Sequence, residues 1–99
     1  MTTKKSHPSV AVQYREISRR PGKCADIVER NSSQMAAVLG YIPVREATIP
    51  NGTKEGIPVI MARVDGGKIV LNLGDWLVVE DGKFKVYTNE VFRTTFNPV

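Results

Sequence analysis

The chain has few of the residues from which catalytic and metal sites are usually built. Its 99 residues include one cysteine, Cys24, and one histidine, His7. A single cysteine excludes an intramolecular disulfide and a zinc site with several cysteine ligands. His7 lies in a polar segment where nothing would fix its geometry as a general base, and Cys24 has no nearby base to activate it. We therefore expect no catalytic residue and no metal site.

Long apolar runs and phosphate-binding glycine motifs are also missing. No apolar stretch reaches the roughly 18 residues that a membrane-spanning helix needs, so we expect no membrane association. Residues 1–8 are polar and carry no apolar segment typical of a secretory signal, which favours a cytosolic protein. Neither Gly-x-Gly-x-x-Gly nor a P-loop occurs, and no cofactor is expected.

Positive charge is concentrated in the first half of the chain. Residues 1–49 carry eight Lys/Arg and four Asp/Glu, whereas residues 50–99 carry six of each, so the net charge of +4 belongs to the first half. Such an asymmetry can mark a surface that binds nucleic acid or an acidic partner. A solvated arm that aids solubility is the alternative interpretation. The candidate binding residues in this stretch are Arg15, Arg19, Arg20 and Lys23.

Two helices are predicted. Asn31 is a good N-cap, and Gln34 stands where it can complete a capping box. An apolar stripe at helical spacing follows, formed by Met35, Val38 and Leu39. These features predict a central helix over about 32–39. Thr88 or Asn89 can cap a second, short helix over about 89–95.

The remaining pattern favours antiparallel strands. Alternation over residues 10–14 predicts a short strand, and from residue 57 four strands follow, joined by short turns. Residues 23–30 fit either a strand or a helix. We predict a disordered basic arm over residues 1–9 and a single α+β domain over residues 10–99. The domain has an antiparallel meander of about five strands packed by the two helices, and closure into a small curled barrel is left open.

Two strands of the meander suggest surfaces for partners. Residues 59–64 and 76–79 are apolar on both faces, and one short chain has few elements to cover both, so we expect a homo-oligomer formed through a strand edge or sheet face. Trp76 lies in the second of these strands and is expected in the core, with a partner anchor as the alternative. In the last strand, the outer face could contact nucleic acid or an acidic protein, although a merely solvated face is the alternative. The candidate residues on it are Lys83, Lys85 and Tyr87.

The C-terminal part carries a recognisable combination of short motifs. Residues 74–78 read Gly-Asp-Trp-Leu-Val, residues 82–84 read Gly-Lys-Phe, Val-Phe follows at 91–92, and the chain ends in Thr-Phe-Asn-Pro-Val. This combination resembles a family of small tailed-phage proteins that is largely uncharacterised. The family usually has Pro-Cys-Lys-Pro-Asp before its Ile-Phe, whereas residues 86–90 here read Val-Tyr-Thr-Asn-Glu. The resemblance implies a phage-encoded accessory protein.

These observations together predict a protein that is not an enzyme. The resemblance and the lack of catalytic groups favour stoichiometric, non-catalytic binding, in the host cytoplasm, to a host or defence component. That component is either a protein or an anionic small molecule such as a nucleotide-like signal. One alternative is a nucleic-acid-binding module that uses the basic N-terminal stretch, and another is a minor virion or assembly protein.

Overall fold

The computed structural model describes residues 3–40, 44–50, 52, 56–64 and 67–98. These residues form eight strands and two helices, and every pair of neighbouring strands is antiparallel. The predicted α+β class is therefore confirmed. In chain order the elements are β1 (Val10–Gln13), β2 (Glu16–Arg20), β3 (Ile27–Arg30), α1 (Ser32–Leu39), β4 (Val44–Ile49), β5 (Ile57–Val64), β6 (Gly67–Asn72), β7 (Trp76–Glu80), β8 (Lys83–Tyr87) and α2 (Asn89–Thr95).

The strands of the described ranges belong to three sheets, with the orders β1-β7-β8, β2-β3 and β4-β5-β6. The described strands therefore do not close into the small curled barrel that the sequence allowed as a possibility. The strands also outnumber the predicted five or so, mainly because β2 and β3 were not counted. Every residue of β2 is exposed, so this strand has no buried face and no apolar alternation to reveal it.

The four strands expected after residue 57 are present as β5 to β8. The hairpin between β7 and β8 turns at Asp81 and Gly82, whose φ angles of 51° and 74° are both positive, as a type I′ turn requires. Between β6 and β7 the chain changes sheets, because β7 pairs with β1 instead of β6. One of the expected short turns, at residues 65–66 between β5 and β6, lies outside the described residues.

The segment over residues 23–30, which fitted either element, resolves into a bend followed by β3. Cys24 lies in the bend and is exposed. β3 pairs with β2, and the register shifts between Glu16 and Ser18, which leaves Ile17 as the extra residue of a β-bulge. The strand alternative is correct for residues 27–30.

The main core lies between α1 and the sheets. The predicted stripe on α1 is confirmed, since Met35 and Leu39 are buried and Val38 packs against them. The alternation in β6 is also confirmed, because Ile69 and Leu71 are buried whereas their neighbours are exposed. Burial of one such large apolar side chain stabilises the fold by about 1.5–3 kcal/mol.

A buried hydroxyl joins three elements beside this core. Tyr14 is 0% exposed, yet its hydroxyl accepts a hydrogen bond from Arg30 Nε at 3.0 Å and donates one to Glu46 Oε1 at 3.1 Å. Burial raises the pKa of the Tyr14 phenol. The tyrosine therefore keeps its proton and links the end of β1 to β3 and β4.

Candidate ligand-binding groove

An aromatic stack joins β7 to the C-terminal helix. The rings of Trp76 and Phe92 lie parallel, with centroids 4.0 Å apart and an interplanar angle of 3°, and Phe96 continues the cluster at 5.1 Å from Phe92. Phe92 and Phe96 are four residues apart and so share one face of α2. Thr88 caps this helix through a bond from the Val91 amide to its Oγ1. The stack fixes the first turn of α2 beside Trp76.

Part of the N-terminal segment lies against this helix. Lys5 forms a parallel bridge with Phe96, in which the Lys5 amide donates to Thr95 O at 2.8 Å and the Asn97 amide donates to Lys5 O at 2.7 Å. The Nδ1 of His7 donates to Asn97 O at 3.2 Å, and the His7 ring meets Phe92 edge-on. Lys5 and His7, in the segment over residues 1–9 for which we predict a disordered arm, thus contact residues near the other end of the chain.

The N-terminal segment, β1, β7 and α2 together line an open groove of about 570 Å³, which we call the Trp76 groove. Its volume falls within the range of small-molecule sites. Among the described residues that line it, Lys4 and Arg93 are cationic and none is acidic. The lining consists of Lys4, His7, Gln13, Trp76, Asn89, Phe92, Arg93, Phe96, Asn97 and Pro98.

Asn89 gives this groove its hydrogen-bonding character. Its Oδ1 accepts bonds from Trp76 Nε1 at 3.0 Å and from Gln13 Nε2 at 3.4 Å. Two donors thus occupy the amide oxygen, and the amide nitrogen, a donor, is the part of Asn89 left for a ligand. With Lys4 and Arg93 also offering only donors, the groove suits a ligand rich in acceptors, such as a phosphate or carboxylate.

A smaller hollow of about 300 Å³ adjoins the groove, because Gln13 and Trp76 line both. Arg15 and Gln34 also line it. Of the predicted binding residues, Arg15 shares this hollow with Trp76, and Tyr87 on β8 is the cross-strand partner of Trp76.

Asn31 holds the backbone that carries Gln13 and Arg15. It is at the N-cap position of α1, but its side chain makes no capping bond, so the predicted capping box is wrong. Its Oδ1 accepts from the Arg15 amide at 2.8 Å, and its Nδ2 donates to Gln13 O at 2.6 Å and to Gln34 Oε1 at 3.1 Å. The Asn31 side chain thus stabilises the connection between β1 and β2, because its buried amide group satisfies two backbone groups there.

The remaining predicted residues on the N-terminal half lie away from the groove. Arg19 forms ion pairs with Glu16 at 2.7 Å and with Asp26 at 3.1 Å. Arg20 and Lys23 are exposed on the β2–β3 hairpin and its bend. The basic stretch is therefore divided between two surfaces and does not form one continuous patch.

On β8, two of the predicted residues, Lys85 and Tyr87, contact Glu80 together with Lys5. The Tyr87 hydroxyl donates to Glu80 Oε1, and Lys85 and Lys5 approach the same carboxylate at 3.8 and 3.6 Å. This hydrogen bond raises the pKa of Tyr87 to about 12 and lowers that of Glu80. Lys83 is exposed. The cluster fixes the β7–β8 hairpin and gives Tyr87 a structural partner.

None of the predicted binding residues lines the Trp76 groove, and the polar lining residues Lys4, Gln13, Asn89 and Arg93 were not among the candidates. Asn89 entered the prediction only as a possible helix cap. Nothing in local sequence indicates that the two ends of the chain meet. The one sequence feature that pointed to the groove is Trp76, the single tryptophan. Its side chain is half-buried at the edge of the groove, between the core position and the exposed partner anchor that were the two expectations for it.

Comparison with known proteins adds no relative to these observations, since the chain matches no protein-family model, no curated protein and no solved structure. Within the described ranges, neither helix is long and apolar enough to cross a membrane. The same part of the chain contains no cluster of three or more His, Cys, Asp or Glu side chains suited to a metal ion.

Proposed function

We propose that this protein acts by stoichiometric, non-catalytic binding of an anionic, nucleotide-like molecule in the Trp76 groove. The observation that carries this proposal is the lining: two cations, an oriented amide donor and aromatic rings, with no acid among the described lining residues. Cations and amide donors recognise phosphate oxygens, and the rings offer apolar contact to a base. No group in this set is placed as a nucleophile or an acid–base pair, so the ligand is held and not converted.

The phage resemblance of the C-terminal motifs supports a biological setting for this binding. An accessory protein that holds a small anionic signal would act by lowering its free concentration in the host cytoplasm. Such an effect requires the protein to be present in amounts comparable to the signal. The host or defence component is, in this proposal, the nucleotide-like molecule itself.

Binding to nucleic acid is a second candidate, favoured by one observation. Arg20 and Lys23 extend on an exposed two-stranded ribbon, an element that some proteins insert into a DNA groove. In that case contacts with phosphates would dominate, and affinity would fall steeply with salt. The two candidates use different residues and can be separated.

The intrinsic fluorescence of Trp76 provides a direct assay. Because Trp76 is the single tryptophan, any change in emission reports on the groove. The purified chain is titrated with the four ribonucleoside monophosphates, a cyclic dinucleotide, inorganic phosphate and a short single-stranded oligonucleotide. We expect saturable quenching by at least one nucleotide, one molecule per chain, with the nucleotide recovered unchanged. Absence of any nucleotide binding at millimolar concentration, by fluorescence and by calorimetry, would refute the proposal.

Matched substitutions locate the binding. Lys4→Ala or Arg93→Ala should weaken nucleotide binding by about tenfold each, since each removes one charge-assisted contact. Lys68→Ala removes another exposed cation, on β6 and outside the groove lining, and should leave affinity unchanged. If Arg20→Ala and Lys23→Ala abolish oligonucleotide binding while Lys4→Ala has no effect on any ligand, the second candidate is supported instead.

A further inference from the structure

The β2–β3 ribbon is a two-stranded sheet of its own among the described residues. In the described residues, β2 pairs with β3 alone, and all five residues of β2 are exposed. A two-stranded ribbon is marginally stable in water unless it gains further strands or packing. Ile17 is 56% exposed and Ile27 is 44% exposed, so the ribbon also presents apolar surface. These features indicate a surface that another strand can cover.

The charges along β2 are complementary to themselves. The strand reads Glu-Ile-Ser-Arg-Arg over residues 16–20. If two copies pair antiparallel about a two-fold axis at Ser18, Glu16 of each copy lies opposite Arg20 of the other. Opposite charges at facing positions stabilise strand pairing, whereas like charges oppose it. Arg20 forms no ion pair within the described part of its own chain, so its guanidinium can meet the second copy.

The edges of the larger sheets are less suited to such pairing. On β8, Lys83 and Lys85 place like charge along the edge, a common device against edge-to-edge association. On β4, the charged residues Arg45 and Glu46 are adjacent, so their side chains point to opposite faces of the strand and cannot lie opposite each other across a two-fold axis. β1 carries no charged residue and β6 carries only Lys68, so neither has the opposite charges that would fix a register. β2 is the edge at which exposure and charge pattern agree.

We infer that the chain forms a two-fold symmetric dimer in which β2 pairs with β2 of a second copy. The product is a four-stranded sheet in the order β3-β2-β2-β3, an isologous interface that closes on itself. The bulge at Ile17 twists this edge, so the shared ladder is short, centred on Ser18. The interface is separate from the Trp76 groove and does not depend on the proposed ligand.

Charge reversal tests this interface by both the loss of dimerisation in each variant and its recovery when the variants are mixed. Glu16→Arg places two cations opposite each other, and Arg20→Glu places two acids opposite each other. Each variant alone should dimerise about tenfold more weakly than the unmodified chain. Mixed together, the two variants present opposite charges at both positions, and the heterodimer should recover the original affinity. Sedimentation velocity over a concentration series measures each equilibrium, and native mass spectrometry identifies the heterodimer.

Lys23→Glu is the matched control, because it reverses an exposed charge in the bend next to β3 and outside the pairing segment. Circular dichroism confirms that each variant is folded. A chain that stays monomeric at all concentrations would overturn the inference. So would a dimer that is insensitive to the two reversals, or variants that are folded and monomeric yet fail to associate when mixed. Nucleotide quenching of Trp76 is measured in parallel and should be the same in monomer and dimer.

Discussion

The indole nitrogen of Trp76 donates a hydrogen bond to Asn89 Oδ1 at 3.0 Å, which joins β7 to the first residue of α2. The same oxygen accepts a bond from Gln13 on β1. One amide oxygen therefore connects three elements that are far apart in the sequence. It also determines which atom of Asn89 is offered to the groove, so structure and recognition depend on one side chain.

Substitution of Asn89 should separate these two roles. Asn89→Ala removes the acceptor from two donors and should lower the free energy of unfolding by about 1 kcal/mol, since both groups are partly exposed and can turn to water. Asn89→Asp retains an acceptor oxygen for Trp76 and Gln13 but replaces the free amide donor with negative charge. It should preserve stability and weaken nucleotide binding by tenfold or more. Urea unfolding and fluorescence titration measure the two effects. Equal nucleotide affinity in both variants and the unmodified chain would show that Asn89 faces no ligand.

The hydrogen bond between Tyr87 and Glu80 predicts a pH dependence with two limits. The pKa of Tyr87 is raised to about 12 from a usual 10.0, so its contribution is complete below pH 10 and is lost as the pH rises toward 12. The pKa of Glu80 is lowered from a usual 4.5, so its contribution is complete above that pH and is lost as the pH falls through the lower value. Tyr87→Phe should therefore cost about 1 kcal/mol near neutral pH and progressively less toward either extreme.

Chemical denaturation at a series of pH values measures this difference between Tyr87→Phe and the unmodified chain. Tyr14→Phe is a useful comparison, because Tyr14 shares a hydrogen bond with a carboxylate but is fully buried beside Arg30. A stability difference for Tyr87→Phe that is constant from acid to alkaline pH would contradict the assigned partner.

Core packing of α1 gives a prediction that concerns stability alone. Met35 is 0% exposed and belongs to the main core cluster. Met35→Ala removes a large side chain and leaves a cavity, and should lower the free energy of unfolding by about 2–5 kcal/mol. Ser33→Ala, at an exposed position of the same helix, should change it by less than about 0.5 kcal/mol. Thermal unfolding followed by circular dichroism compares the two, and similar losses would argue against Met35 as a core residue.

The parts of the fold that could be predicted are those whose signal is local. The apolar stripe that includes Met35 and Leu39 predicted α1, and the turn residues Asp81 and Gly82 predicted the β7–β8 hairpin. In these cases periodicity and turn chemistry act within a few residues, where the sequence expresses them directly. The ambiguity over residues 23–30 had another cause, since a bend occupies the start of this short segment and the strand that follows has only four residues.

The site could be predicted only in part, because it is assembled from distant segments. Lys4, Trp76 and Arg93 meet only after β1 pairs with β7 and Lys5 pairs with Phe96. Neither pairing leaves a local pattern, and both depend on which edges remain open once the hairpins have formed. Charge reasoning singled out Arg15, which lines the hollow beside the groove but not the groove itself. It could not foresee that Arg19 would be engaged by Glu16 and Asp26.

Asn31 offers a test of how the backbone near the groove is supported. Asn31→Ala removes the partners of the Arg15 amide and the Gln13 carbonyl, two groups in a part-buried site, and should lower the free energy of unfolding by about 2–3 kcal/mol. It should also weaken nucleotide binding, because Gln13 loses its fixed position beside Trp76. Gln34→Ala is the matched control: it removes one bond to the Asn31 side chain but leaves both backbone contacts, and should cost less than about 1 kcal/mol.

Denaturant unfolding and Trp76 fluorescence give both readouts for these two variants. If Asn31 acted as the helix cap that its position suggests, Asn31→Ser would restore most of the lost stability, because serine caps as well as asparagine. The structure predicts the reverse. A serine hydroxyl is too short to span from the Arg15 amide to the Gln13 carbonyl, so Asn31→Ser should be nearly as unstable as Asn31→Ala. If the serine variant recovered the stability of the unmodified chain, Asn31 would act as a helix cap. Gln13 would then be held in place by its bond to Gly74 O.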